Sequence, residues 1–134
     1  MLCHLQAIAI ATLVSGISTV ALAQFDPTPS PNRNGDYNTI EVKNDKGKQY
    51  EYYSWVVIAT SLNCRSAPGT QNPIVTRFAK NQLLQAGSFG RGRSDEVEVI
   101  QRDAKGKPWM RVILKRGQCF VRANQQYIEP NSLE

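Results

Sequence analysis

The stretch EVEVIQRDAKGKPWMRVILKRGQCFVRA, residues 96–123, decides the fold class. Apolar and polar residues alternate in three runs within it, as in strands with one buried face: 96–102, 109–114 and 119–123. The runs are separated by Asp103-Ala104-Lys105-Gly106 and by Lys115-Arg116-Gly117, which are composed of residues that favour tight turns. The stretch therefore predicts consecutive antiparallel strands joined by short turns.

The chain between the amino-terminal apolar stretch and residue 55 divides into two parts. Residues 24–38 contain three prolines and no apolar period, which indicates a linker or an unstructured Pro/Asn-rich arm. Residues 39–54 hold two short alternating runs on either side of Asn44-Asp45-Lys46-Gly47. This arrangement predicts a β-hairpin that precedes the main domain.

Strand signals also fill most of the chain from residue 55 to residue 96. Leu83 and Leu84 are candidates for a strand, residues 87–94 indicate a Gly-rich loop, and no segment shows a helical period. Short strands separated by turns predict an all-β fold, and about 80 residues favour a small barrel over a sandwich. The other strand signals are WVVIA (55–59), LNCRS (62–66) and IVTRF (74–78).

The chain begins with an uncharged and mostly apolar stretch. All Asp, Glu, Lys and Arg residues lie after position 25, and the apolar run 7–20 is shorter than the roughly 20 residues that span a bilayer. The run is followed by Ala21-Leu22-Ala23, an A-x-A cleavage pattern, so a signal peptide over 1–23 and a periplasmic or secreted location are expected. Because no Lys or Arg precedes the apolar run, an uncleaved anchor is the alternative.

LNCRSAPGT, residues 62–70, resembles the LNVRSGPGT signature of bacterial SH3-like (SH3b) domains. The resemblance covers residues 55–129 and implies a small SH3-like barrel domain over 55–130. It also implies a structural role for Arg65 and Ser66 in the signature turn. Further stretches resemble the family in the order that the family has them: Pro73-Ile74-Val75, Trp109-Met110-Arg111-Val112, Cys119-Phe120-Val121 and Tyr127-Ile128.

Two cysteines remain after the predicted cleavage, because Cys3 belongs to the signal peptide. An even pair in an exported protein indicates a disulfide, here between Cys64 and Cys119. Relative to the SH3-like family, Cys64 replaces the usual Val and Cys119 replaces the usual Gly. The resemblance implies that the strands of these two residues are neighbours, so that the sulfurs meet on the core face.

Catalytic groups are scarce in the predicted mature chain. His4, the only histidine, lies in the signal peptide, so the usual general base and the commonest metal ligand are missing. Paired cysteines offer no thiol nucleophile, and we therefore expect a protein that is not an enzyme and uses neither a cofactor nor a metal. Asp95, Glu96 and Glu98 form the only carboxylate cluster, which leaves a small hydrolase as the alternative to an acidic strand edge.

Aromatic residues form one candidate binding surface. Phe120 alternates with Cys119 and Val121 and is expected to point away from the core into solvent. SH3-like folds use exposed aromatic side chains as peptide grooves, and some bacterial members bind peptidoglycan peptides, so the resemblance implies a ligand groove. Alternatively, the rings cap a small core. The candidate groove residues are Trp109, Phe120, Tyr52, Tyr53 and Tyr127.

Positive charge forms a second candidate surface. The formal net charge is +5, and nine Lys and Arg residues lie between positions 91 and 122 against four carboxylates. Many of the nine lie at predicted turns, where they would project into solvent towards an anionic partner such as an envelope polymer. An ordinary solvated surface is the alternative. Leaving Arg111 aside, the candidate patch comprises Arg91, Arg93, Arg102, Lys105, Lys107, Lys115, Arg116 and Arg122.

Together these features predict an exported, monomeric and non-catalytic binding module. Its expected partner is a cell-wall peptide, an envelope glycan or an exported protein, and export disfavours nucleic acid. A secreted inhibitor or effector that blocks a target enzyme with the loop at 87–94 is the first alternative. The carboxylate-dependent hydrolase is the second.

Overall fold

The computed structural model describes residues 15–16, 27–87 and 98–132. Over these residues the fold is all-β, with ten short strands and no helix. Turn residues interrupt the alternating pattern at short intervals, so each strand is brief. In chain order the strands are β1 (Glu41–Lys43), β2 (Gln49–Glu51), β3 (Ser54–Val57), β4 (Ser61–Arg65), β5 (Ile74–Ala79), β6 (Leu83–Gln85), β7 (Ile100–Arg102), β8 (Pro108–Ile113), β9 (Gln118–Arg122) and β10 (Ile128–Pro130).

The strands form three antiparallel sheets. β1 and β2 pair with each other, a second sheet has the order β10-β3-β6, and the third has the order β5-β4-β9-β8-β7. An isolated bridge between Ala86 and Val112 connects the end of β6 to β8. The predicted all-β fold of short antiparallel strands is therefore confirmed. Over the described residues the sheets do not close into a continuous barrel.

The local pairings follow the turn signals in the sequence. Glu41 lies opposite Glu51 and Lys43 opposite Gln49, so β1 and β2 form the hairpin predicted over 39–54. β7 pairs with β8 and β8 with β9, as the alternation in 96–123 predicts. The candidate strand at Leu83 and Leu84 is β6. Apart from Gly87, the predicted loop at 87–94 lies outside the described residues, as does the signal peptide except for residues 15 and 16.

The same five-residue turn occurs three times in the described chain. An Asn or Asp side-chain oxygen accepts the backbone N–H groups two and four residues further on. The fourth residue is a glycine with a φ of 77° to 80°, a left-handed conformation that glycine adopts without steric cost. These turns begin at Asn32, Asn44 and Asp103, and the last two carry Lys-Gly-Lys in the same positions.

One buried apolar cluster joins the three-stranded and five-stranded sheets. Its largest fully buried side chains include Trp55 of β3, Met110 of β8 and Ile128 of β10. The predicted disulfide between Cys64 and Cys119 lies inside this cluster, with Cα atoms 5.4 Å apart, and joins β4 to β9. Both cysteines face the core because each shares a strand face with buried apolar residues.

The carboxyl end of the arm at 24–38 belongs to the folded domain, which corrects the prediction of a linker. Tyr37 is only 3% exposed, and its ring meets Trp55 edge-to-face with the centroids 4.9 Å apart. Its backbone N–H donates to the carbonyl of Ala123 at 2.9 Å. Residues 36 and 124 form an isolated β-bridge. The proline-rich composition of the arm does not indicate these contacts, because they are made with residues distant in sequence.

Candidate functional site

The outer face of the five-stranded sheet carries arginine and aromatic side chains in alternation. Trp109 of β8 lies opposite Arg122 of β9, and Arg111 lies opposite Phe120. Phe120 also lies opposite Arg65 of β4. Residues directly opposite each other share a face of the sheet, so these five side chains lie on the side away from the apolar cluster.

A concave site lies over part of this face, and we call it the Trp109 cavity. Its volume is about 270 Å³. Strands β4, β8 and β9 contribute to it, together with the β7–β8 turn and the loop before β10. The cavity is lined by Ser61, Leu62, Asn63, Arg65, Thr70, Asp103, Lys105, Lys107, Trp109, Arg122 and Tyr127.

A second and more polar cavity, the Asn124 cavity, adjoins the first. Its volume is about 520 Å³. It is lined by Asn34, Asp36 and Gly106, by Asn124 and Gln126, and by residues that also line the Trp109 cavity. The four shared residues are Lys105, Lys107, Arg122 and Tyr127.

Asp103 fixes the position of Trp109 at the site. One carboxylate oxygen accepts the indole N–H of Trp109 at 2.9 Å, and the other accepts the backbone N–H groups of Lys105 and Lys107. Burial acts to raise the pKa of Asp103, but these hydrogen bonds outweigh it and hold the pKa below its usual value. The turn that presents the two lysines is thereby tied to the aromatic wall.

Arg122 is held by the arm. Its guanidinium donates to a carboxylate oxygen of Asp36 at 2.6 Å and to the carbonyl of Pro108 at 2.9 Å. The side chain of Asn124 donates to the same Asp36 oxygen. Burial acts to raise the pKa of Asp36, but the hydrogen bonds from Asn124 and Arg122 hold it below the usual value. A single orientation of Arg122 is therefore favoured.

The structure brings together two of the five predicted groove residues. Trp109 and Tyr127 both line the Trp109 cavity, although Trp109 is only 3% exposed. Tyr52 donates its hydroxyl to the carbonyl of Asn131 and packs edge-to-face on Trp55. The exposed Tyr53 hydrogen-bonds to Glu51 and lines a separate cavity beside β6. The groove in its full predicted composition is thus spread over different parts of the surface.

Phe120 corrects a prediction about exposure. It points away from the core as the alternation predicts, yet only 3% of it is exposed. The guanidinium carbon of Arg111 lies 5.5 Å from the centroid of its ring. Arg111 is itself 4% exposed, its Nε has no hydrogen-bond partner among the described residues, and burial lowers the pKa of its guanidinium. No local sequence feature indicates that an arginine on the outer face would be buried.

The basic patch is divided between the site and the surrounding surface. Lys105, Lys107 and Arg122 line the cavities. Arg102 donates to the carbonyl of Gly106 and to the side chain of Asn38, which supports the β7–β8 turn. The remaining members of the patch are Lys115 and Arg116, which are exposed after β8, and Arg91 and Arg93, which lie outside the described residues.

Arg65 is a site residue that the sequence assigned only to a structural turn. One of its nitrogens does support that turn, donating to the carbonyl of Asn72 at 2.9 Å. The side chain also lines the Trp109 cavity. Alternate residues of β4 point away from the core, and Arg65 lies on that face together with Asn63. This alternation is the feature of the sequence that indicates a place for Arg65 at the site.

The predicted acidic cluster is described only in part. Glu98 is exposed and shares a shallow cavity with Glu41 and Glu51, whereas Asp95 and Glu96 lie outside the described residues. No group of three or more His, Cys, Asp or Glu side chains in the described ranges is arranged to hold a metal ion.

Comparison with family models, with curated proteins and with solved structures finds no match to this chain. Within the part of the chain that the structure describes, no helix has the length and apolar character needed to cross a membrane.

Proposed function

We propose that this chain is an exported, non-catalytic binding module that holds an anionic ligand of the cell envelope in the Trp109 cavity. The observation that carries the proposal is that members of both predicted surfaces line one cavity. Trp109 and Tyr127 come from the aromatic set, and Lys105, Lys107 and Arg122 come from the basic set. Ligand pockets combine aromatic side chains with placed polar groups, and in this cavity the polar and charged lining residues outnumber the apolar ones.

The charge balance of the cavity supports an anion as the ligand. Asp103 is occupied by three hydrogen bonds from its own turn and from Trp109. The charge of Lys107 helps to lower the pKa of Asp36, but no carboxylate in the described ranges forms a direct ion pair with Lys105 or Lys107. Convergent cations beside a low-dielectric wall attract anions more strongly than dispersed surface charges do.

Two features support the cell envelope as the place of binding. The sequence predicts a signal peptide over 1–23, and the disulfide between Cys64 and Cys119 is of the kind that forms in oxidising compartments. Cell-wall peptides and envelope glycans that carry carboxylates are therefore the ligands that the site would meet.

Retention of the purified, oxidised protein on isolated cell-wall sacculi tests this proposal. The double variant Lys105→Ser/Lys107→Ser removes two cations from the cavity. Lys46→Ser/Lys48→Ser is the matched control, because it removes the same charge from the same type of turn in the β1–β2 hairpin. We expect the first variant to lose retention and the control to keep it. High salt should weaken the retention of the unmodified protein, because screening shortens the reach of each charge.

Equal losses of retention in the two double variants would show that retention depends on the net charge of the protein and not on the cavity, and would contradict the proposal. Absence of retention at both low and high salt would also contradict it, and would favour a protein partner such as the target of a secreted inhibitor.

A further inference from the structure

Four residues line both the Trp109 cavity and the Asn124 cavity. The Trp109 cavity, at about 270 Å³, lies below the roughly 300–1,000 Å³ of typical small-molecule pockets, whereas the Asn124 cavity, at about 520 Å³, lies within that range. Since Lys105, Lys107, Arg122 and Tyr127 line both, a ligand that contacts these residues from one cavity lies beside the other. The geometry suits a chain that occupies both cavities better than a compact molecule in one.

The strands beneath the Trp109 cavity are paired for most of their length within the five-stranded sheet. β8 and β9 pair with each other along their length, whereas β4 pairs along its length with β5 and meets β9 only at Arg65 and Phe120. Peptides that bind β-proteins in an extended form commonly add to an exposed sheet edge through main-chain hydrogen bonds. A ligand in the Trp109 cavity contacts the side chains that line it, and the polar groups of the ligand determine the specificity of binding.

The side chains of the Asn124 cavity are suited to hydroxyl groups. Asn34 and Gln126 are exposed amides that both donate and accept hydrogen bonds, whereas one carboxylate oxygen of Asp36 already accepts from Arg122 and Asn124. Ser61 and Thr70 extend the same chemistry into the Trp109 cavity. Neutral hydrogen-bonding groups around a few cations complement a ligand that carries many hydroxyls and some carboxylates.

We propose that the ligand is an acidic glycan chain, with one sugar unit in the Trp109 cavity and the next in the Asn124 cavity. The carboxylates of the chain contact Lys105 and Lys107, and its hydroxyls contact Gln126 and Asn34. This inference rests on the proposed function and names the class of ligand for the same site.

Calorimetric titration with oligomers of galacturonic acid, of one, two and four units, tests the inference. Occupation of the second cavity becomes intramolecular once the first is filled, so affinity should rise at least about tenfold from the monomer to the tetramer. A blocked tetraglutamate peptide carries the same number of carboxylates and should bind at least about tenfold more weakly. A neutral tetrasaccharide, maltotetraose, should bind more weakly than the acidic tetramer because it leaves the lysines without an anion.

Gln126→Ala measures the contribution of the Asn124 cavity to affinity, because Gln126 lines only that cavity. It should weaken the tetramer severalfold and leave the monomer unchanged. Gln49→Ala, at an exposed position of β2, is the matched control and should change neither affinity.

The outcomes distinguish this inference from the proposed function. If tetraglutamate binds as tightly as the acidic tetrasaccharide, or if chain length has no effect, the glycan inference is overturned while anion binding stands. If none of the anionic probes binds and sacculi do not retain the protein, both proposals fall.

Discussion

Arg122 and Asp36 are joined by a hydrogen bond of 2.6 Å, although 86 residues separate them in the chain. The contact fastens the arm to the end of β9, and Asn124 strengthens it by donating to the same carboxylate oxygen. Because Arg122 lines both cavities, the ion pair that secures the arm also orients a cation at the candidate site.

The ion pair predicts a specific acid sensitivity. The pKa of Asp36 in the folded chain lies below its usual value, so the carboxylate stabilises the fold above the unfolded pKa of about 3.9. That contribution is lost as the pH falls through the lower, folded pKa. In Asp36→Asn the free energy of unfolding should therefore fall less between pH 7 and pH 3 than in the unmodified protein. Urea unfolding at both pH values measures this, and equal falls would contradict it.

Tyr37 should be essential to the stability of the domain despite its position in a proline-rich arm. Truncation of a large buried ring costs about 3 kcal/mol or more, and Tyr37→Ala also removes the edge-to-face contact with Trp55. Tyr53→Ala, at a residue that is 48% exposed, is the control and should cost less than about 1 kcal/mol. Denaturant unfolding of the two variants makes the comparison. Similar losses of stability in the two variants would contradict this prediction, because they would show that Tyr37 stabilises the domain no more than the exposed Tyr53 does.

Reduction of the disulfide should lower stability substantially. Cys64 and Cys119 are 55 residues apart, and a closed loop of that length restricts the unfolded chain by about 4 kcal/mol on the chain-entropy account. We expect the urea midpoint to fall clearly when a reductant is added, with Cys64→Ala/Cys119→Ala behaving like the reduced protein. A midpoint that does not change with reductant would contradict this expectation.

The local features of the fold were predictable because they depend on residues close in sequence. Alternation in 109–114 and 119–123 places β8 and β9, and the Asp103 turn follows from its carboxylate and Gly106. Long-range packing was not predictable in the same way. Tyr37 looked like part of a linker because nothing near it in sequence shows that Trp55 will receive its ring.

In the candidate site, too, the features that depend on neighbouring residues were predictable and the long-range contacts were not. The alternation correctly turns Phe120 away from the core, but its exposure depends on tertiary neighbours such as Arg111. Trp109 of β8 and Tyr127 of the loop before β10 line the same cavity, and no sequence spacing encodes that proximity. Two surfaces that the sequence presented as separate therefore partly coincide.

Asp103 should matter to the site more than an equivalent turn residue does elsewhere. Asp103→Ala removes the acceptor for two backbone N–H groups and for the indole of Trp109. Asn44→Ala removes only the two backbone bonds of the matching turn between β1 and β2. Both variants should lose stability, with Asp103→Ala losing about 1 kcal/mol more because a mostly buried indole N–H is left unpaired.

The two variants should also differ in a property that stability alone does not change. The indole N–H resonance of Trp109, followed by NMR, should move in Asp103→Ala and stay in place in Asn44→Ala, because only the first variant removes its hydrogen-bond acceptor. Retention on sacculi should fall in the same variant, since the turn that carries Lys105 and Lys107 is no longer tied to Trp109. If both variants leave the resonance and the retention unchanged, Asp103 supports its turn alone and does not organise the cavity.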